Sequence, residues 1–255
     1  MSFFVEQESV VRKIWGKGDT ILFIFAGASA EFALNKAVDW LYYTGRLPAD
    51  PLGRLFSTVN YALKIVFSEN DAALIAIDKI AAIHRAVEQQ RAAHIPDWAY
   101  RDVLFMLIDY SIRSYEILER KLSYMEKEEV FDVFNRVGLR MNLTGLPGNY
   151  NDWMVMRNEH LQNDLIKSNF TIDLYKQYRK HLGPIRYKLL IEGQILVVPQ
   201  SVNDLLKLGG FSLLAPVLSI YKILRSLKLD WFLKAAILPK EYKEEIKELD
   251  VMTRK

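Results

Sequence analysis

The chain has no cysteine among its 255 residues. That excludes disulfides, thiolate metal sites and cysteine nucleophiles at once, and leaves the compartment undetermined. Histidine is nearly as scarce: any imidazole chemistry must rest on His84, His94, His160 or His181. A charge of one sign is also lacking, since 34 basic residues face 31 acidic ones for a net +3. With that balance, and without zinc-finger spacing, a basic arm or repeated basic and aromatic patches, no nucleic-acid partner is expected. Long apolar runs are missing too. The stretch TILFIFAGASAEFAL is interrupted at Glu31, short of the roughly 20 apolar residues that span a bilayer. The opening MSFFVEQESVVRKIWGKGD is charged too early and too often for a secretory leader, so a cytoplasmic location is expected. GxSxG, a glycine-rich phosphate loop, HExxH and HxH are all absent.

What is present is helical periodicity. Apolar residues make up 51 % and charged residues 25 %, the balance of a folded chain. Apart from TILFIF, which has a strand-like composition, apolar spacings run in threes and fours. Residues 18–43 read as one helix with small residues in its middle. Asp50 and Pro51 open a helix to Phe67, as N-cap and first-turn proline. Asp71 to Arg91 reads as the next helix, and Asp97 caps another to Leu122. Ser123 and Glu126 have capping-box spacing, and the helix they open ends at TGLPGN. Further helices begin near Tyr150, cover SNFTIDLYKQYRKHLG up to a break at GP, and fill 185–207 with a bend at Pro199. The expected architecture is all-α, a single domain over 1–255 of nine or ten helices, without internal repeats.

Residues 209–239 are apolar with Lys222, Arg225, Lys228 and Lys234 interspersed. Two readings stand: a buried helix pair broken near Gly210 and Pro216, or a basic amphipathic face for peripheral contact with an anionic membrane. The second goes with a function as a non-enzymatic lipid- or partner-binding protein. The oligomeric state is not legible.

Three side chains sit oddly in their helices. In IDKIAAIHRAVEQQ, His84 shares a face with Ile77, Ile80, Ala81 and Val87, while Asp78 and Arg85 lie opposite. Such a histidine is usually a satisfied structural residue, but the small Ala81 and Ala82 leave room beside it, and neutral imidazole is a common haem ligand. Arg54 has little polar surface around it and needs a carboxylate, Glu31 or Asp109, or a bound anion. Asp109 lies among Leu104, Phe105 and Ile108 and needs a donor, for which Arg54 and His84 are candidates; an ordinary structural ion pair serves equally well. His94, His160 and His181 fall singly, and Glu159 next to His160 lacks the spacing of a di-metal bundle site.

RLFST at 54–58, IHRAV at 83–87, WAYRDVLFMLIDYSIRSYEIL, a helix ending in VG and a loop GLP…Y…W follow one another in order. Together, over about residues 15–205, they resemble the MpaB-like and latex-clearing oxygenases, which share the domain of unknown function 2236. The resemblance implies an all-helical fold that binds haem b. It implies His84 as the proximal iron ligand, with Arg54 and Thr58 on the distal side as catalytic residues. It implies molecular oxygen and an apolar, isoprenoid-like small molecule as substrates, whose double bond is cleaved to carbonyl ends. Fungal members are associated with the endoplasmic reticulum membrane and latex-clearing ones are secreted. The chain also departs from the pattern. Ser57 stands where latex-clearing proteins carry a lysine that reaches iron, and FAGASAEFAL lacks a His-Pro pair. A lysine-capped haem and rubber as substrate are therefore not carried over. Arg54 would meet a propionate or polarise oxygen, Asp109 would support the cofactor through His84, and Glu31 is a candidate distal base.

Overall fold

The structure is a computed structural model that describes residues 2–45 and 49–226. Among these residues eleven helices form, and strand pairing is limited to two isolated bridges, Phe3 with Glu69 and Asn35 with Leu165. They are α1 (Val10–Trp15), α2 (Gly18–Phe32), α3 (Asp39–Tyr43), α4 (Pro51–Phe67), α5 (Asn70–Arg91) and α6 (Asp97–Leu118). Then come α7 (Tyr124–Arg140), α8 (Tyr150–Asn163), α9 (Asn169–Val197), α10 (Gln200–Leu206) and α11 (Leu214–Ser226). The all-α expectation holds, and TILFIF lies inside α2.

Local chemistry sets most boundaries. Asp50 accepts from the Gly53 amide at 2.8 Å ahead of Pro51, and Ser123 and Glu126 form the full capping box. Two expected helices are shorter than their periodicity suggests. The stretch 18–43 divides into α2 and α3 because Asn35 Oδ1 accepts from the Ala37 amide at 2.8 Å, a local bond that competes with the helix. The expected helix to Leu122 stops at Leu118, where Glu116 takes the Leu122 amide at 3.1 Å. Asp97 is the first residue of α6 rather than its cap; Pro96 holds the cap position, and Asp97 accepts instead from the Thr144 hydroxyl. The break at Gly183 and Pro184 is a kink within α9, with Gly183 at φ 71°, a conformation glycine reaches without steric cost.

The small middle of α2 has a packing reason. This helix lies between α6 and α9. A Cβ built on Gly27 would fall 2.2 Å from the Tyr110 ring of α6, and one on Gly193 of α9 would touch Ala26 at 3.4 Å. Around this axis the main core forms, with Ile14, Trp15, Ile24, Leu34, Ile77 and Tyr110 essentially inaccessible, and a smaller cluster gathers at Ala33, Leu174 and Tyr178. Each such side chain contributes about 1.5–3 kcal/mol on burial. Among the described residues no helix is long and apolar enough to cross a membrane. Of the stretch 209–239, α11 begins at Leu214 with Pro216 in its first turn, and residues 227–239 lie outside the described chain.

Candidate functional site

His84 lies on α5, on a face that grades from buried Ile77 to half-buried Val87, with Asp78 and Arg85 exposed on the opposite side. Its ring meets Tyr100 of α6 edge-on at 5.1 Å. One turn further, Glu88 accepts from the Tyr100 hydroxyl at 3.2 Å and from the Ile95 amide at 2.9 Å, so α5 is pinned to the start of α6 beside the imidazole. Burial lowers the His84 pKa to about 4; the positive charge of Arg54 adds to the fall and Glu88 opposes it. His84 is thus neutral at ordinary pH. Its Nδ1 is buried and has no hydrogen-bond partner in the protein. An unsatisfied buried polar atom costs about 1–3 kcal/mol, so this nitrogen is where a ligand would be stabilising.

Arg54 and Thr58 are half-buried on α4, which packs along α5. The charge of Arg54 is close enough to act on His84. The Thr58 hydroxyl donates back to the Arg54 carbonyl at 3.3 Å, one turn earlier. The structure therefore brings His84, Arg54 and Thr58 to neighbouring helices.

Asp109 belongs elsewhere. Its expected donors were Arg54 or His84; its actual ones are Arg113 (Nε to Oδ1, 2.6 Å) and Arg157 (Nη2 to Oδ2, 2.9 Å). Glu31, the other candidate partner of Arg54 and the candidate distal base, is also engaged with Arg157. That guanidinium donates to both Glu31 oxygens, from Nη2 at 2.6 Å and from Nη1 in a still closer contact. Tyr110 donates to Glu31 at 2.7 Å and His160 Nε2 to it at 2.9 Å. The Glu31 carboxylate is fully buried. Burial alone would raise its pKa, but Arg157 and His160 pull it down to about 2. A carboxylate so saturated with donors is a structural anion rather than a free base.

His160 continues this network across to α6. Its Nδ1 lies 2.8 Å from Asp102 and 3.4 Å from Asp164, so it does not fall singly. Burial would lower its pKa, but Asp102 and Glu31 raise it to about 9. The signal was in RNEHLQND: Arg157, His160 and Asp164 recur at one-turn intervals on the face that also carries the buried Trp153. Three polar groups on a buried face must have partners, but their identities, Glu31, Asp102 and Asp109, lie far away in sequence.

The low pKa and orphaned Nδ1 of His84, with the charge of Arg54 nearby, fit the haem that the family resemblance implies: a neutral imidazole that would meet iron and a cation on the neighbouring helix that would meet a propionate. No curated protein and no solved structure matches the chain. A family model does, described as ER-bound oxygenase mpaB/B'/Rubber oxygenase, catalytic domain, over residues 13–221. With most of its length matched, from α1 into α11, the chain belongs to this family of oxygenase catalytic domains.

Proposed function

We propose that the chain is a haem-b-dependent oxygenase that uses molecular oxygen on an apolar, isoprenoid-like small molecule. The observation that carries the reading is His84: a neutral imidazole with a buried, unpartnered nitrogen, facing the charge of Arg54. Bound haem would supply the oxygen chemistry itself. The protein's part is to hold and tune. His84 would be the iron ligand, kept unprotonated by burial and by Arg54. Tyr100 and Glu88 hold the helix that carries it. Arg54 would bind a propionate or orient a polar oxygen, and Thr58 lies one turn along on the same helix. Asp109 would act at a distance, through the ion network that joins α6 to α8. Ser57 offers iron no amine.

The test is the ultraviolet–visible spectrum of protein expressed with ample haem, with a pyridine haemochrome assay. A Soret band that is lost or displaced in His84→Ala is expected. A colourless wild-type protein would overturn the reading.

A second reading, peripheral contact with an anionic membrane, is supported by the exposed side chains of Phe211 and Leu213 ahead of α11 and by exposed Lys222. Flotation with anionic vesicles, lost in the Phe211→Ser/Leu213→Ser double variant, is its test. Flotation unchanged in that variant would refute it.

A further inference from the structure

Asp102 on α6, His160 on α8 and Asp164 at the end of α8 present one ligand atom each, all within 4.8 Å of one another. Carboxylates gathered near a histidine are commonplace, so proximity alone decides nothing. The hydrogen bonding around His160 is more specific. Glu31 holds its charge under four donors, so it can only accept, and His160 Nε2 must carry the proton that it donates at 2.9 Å. That leaves Nδ1 to face Asp102 at 2.8 Å and Asp164 at 3.4 Å. The His160 side chain is 2 % exposed, and its Nδ1 makes no hydrogen bond of acceptable geometry despite the short distance to Asp102. Without an ion, the positive group between this nitrogen and the two carboxylates is a proton on Nδ1, which is not well aligned with Asp102, and a cation would compete with it for the same lone pair.

We propose that Asp102, His160 and Asp164 bind one divalent transition cation, with Zn²⁺ the preferred ion. Ligand atoms tetrahedral about a cation sit about 3.3–3.6 Å apart, and octahedral ones about 2.8–3.1 Å, when each bond is about 2.0–2.2 Å. The 3.4 Å separation of Nδ1 from Asp164 has the tetrahedral length, and the 2.8 Å separation from Asp102 would have to open by about 0.5 Å on binding. The outer contacts fit as well. A ligating histidine ordinarily donates its other N–H to a carboxylate, which Glu31 provides. A ligating carboxylate is ordinarily hydrogen-bonded, and the Asn35 amide donates to Asp102 at 3.1 Å. Charge agrees: Arg157 and Arg113 meet Glu31 and Asp109, Asp102 and Asp164 face His160, and a divalent ion that displaces the Nδ1 proton would put its charge between those two carboxylates. One imidazole with carboxylates favours Zn²⁺ over Mn²⁺ and Mn²⁺ over Mg²⁺. The site is separate from His84 and does not depend on haem.

The test uses the full chain, purified without a metal-affinity tag and stripped with chelator, with haem content measured on the same sample. Isothermal titration with Zn²⁺ is expected to give one ion per chain, weakened at least about tenfold in Asp164→Asn. Asp164 is 30 % exposed at a helix end, so this variant retains the core. Parallel titrations are expected to rank Zn²⁺, Mn²⁺ and Mg²⁺ in that order. Zinc-edge X-ray absorption of the loaded wild-type chain needs no variant and is expected to show one imidazole among oxygen ligands. Failure of the stripped wild-type chain to bind one ion, wild-type affinity in Asp164→Asn, a reversed metal order, or two imidazoles at the ion, as His94 or His181 would give, would each overturn the proposal.

Discussion

Replacing Arg157 by methionine keeps most of the side-chain volume and removes the charge at the centre of the buried network. Arg157 is 3 % exposed and is the common donor to Glu31 and Asp109. Its loss leaves Glu31 buried with only His160 and Tyr110, and leaves Asp109 with Arg113 alone. Breaking a buried ion pair from one side costs about 3–5 kcal/mol, because an uncompensated charge remains in the core. For a chain of this size each kcal/mol is worth roughly 2–4 °C in melting temperature, so a fall on the order of 10 °C is expected. The control is the double variant Arg157→Met/Glu31→Gln. It removes the stranded charge as well as the cation and should recover part of the loss, since an apolar or neutral replacement of a whole buried pair is often tolerated. Chemical denaturation of wild type, both single variants and the double variant at neutral pH measures each cost and their coupling. A single variant that costs less than about 1 kcal/mol, or a double variant no more stable than the single, would refute the view that the network is desolvated and charged.

The same network predicts an acid limb. The folded pKa of Glu31 is depressed to about 2 from an ordinary 4.5, so its contribution is full above pH 4.5 and is lost as pH falls toward 2; chelator-treated Glu31→Gln should show a shallower loss than wild type across that window. Gly27→Ala should destabilise by about 1–3 kcal/mol, since the added Cβ meets the Tyr110 ring; a melting temperature equal to wild type would show that α2 and α6 can separate freely. Ser123→Ala removes half of a capping box at the start of α7 and should cost about 1 kcal/mol by denaturation.

The contrast between what could be read from the chain and what could not is physical. Asp50 with Pro51 and Ser123 with Glu126 were legible because a cap satisfies amides two or three residues away, so donor and acceptor appear in one short window. The oddity of Arg54, Asp109 and His84 was legible too, because each is a polar group on an apolar helical face. Their partners were not. Glu31 and Arg157 are separated by 126 positions, and periodicity within one helix carries no information about which helix it will face. For Arg54 the sequence leaves Glu31, Asp109 and a bound anion open, and both carboxylates pair with Arg157. The partners of His160 are hidden for a related reason: its neighbour Glu159 has the wrong spacing for a bundle metal site, while its companions stand one turn away along α8 and across on α6.

These two polar centres meet opposite demands. His84 is neutral, has an unpartnered nitrogen and sits on a face that opens toward half-exposed residues, as a ligand-accepting position must. The Glu31 carboxylate is charged, has four donors and lies where α2, α6 and α8 converge. A saturated buried network contributes little net stability against an apolar replacement, yet it fixes relative helix positions through directed bonds that apolar packing does not supply. The two centres share α6: Tyr100, against the His84 ring, Asp102, against His160, and Asp109, against Arg157, lie on the one helix within three turns. Disturbing the Arg157 network should therefore be felt at His84 as a change in position, not in charge. A haem spectrum altered in Arg157→Met while haem content is retained would display that coupling through α6, and an unaltered spectrum would show that each centre is held by its own helices.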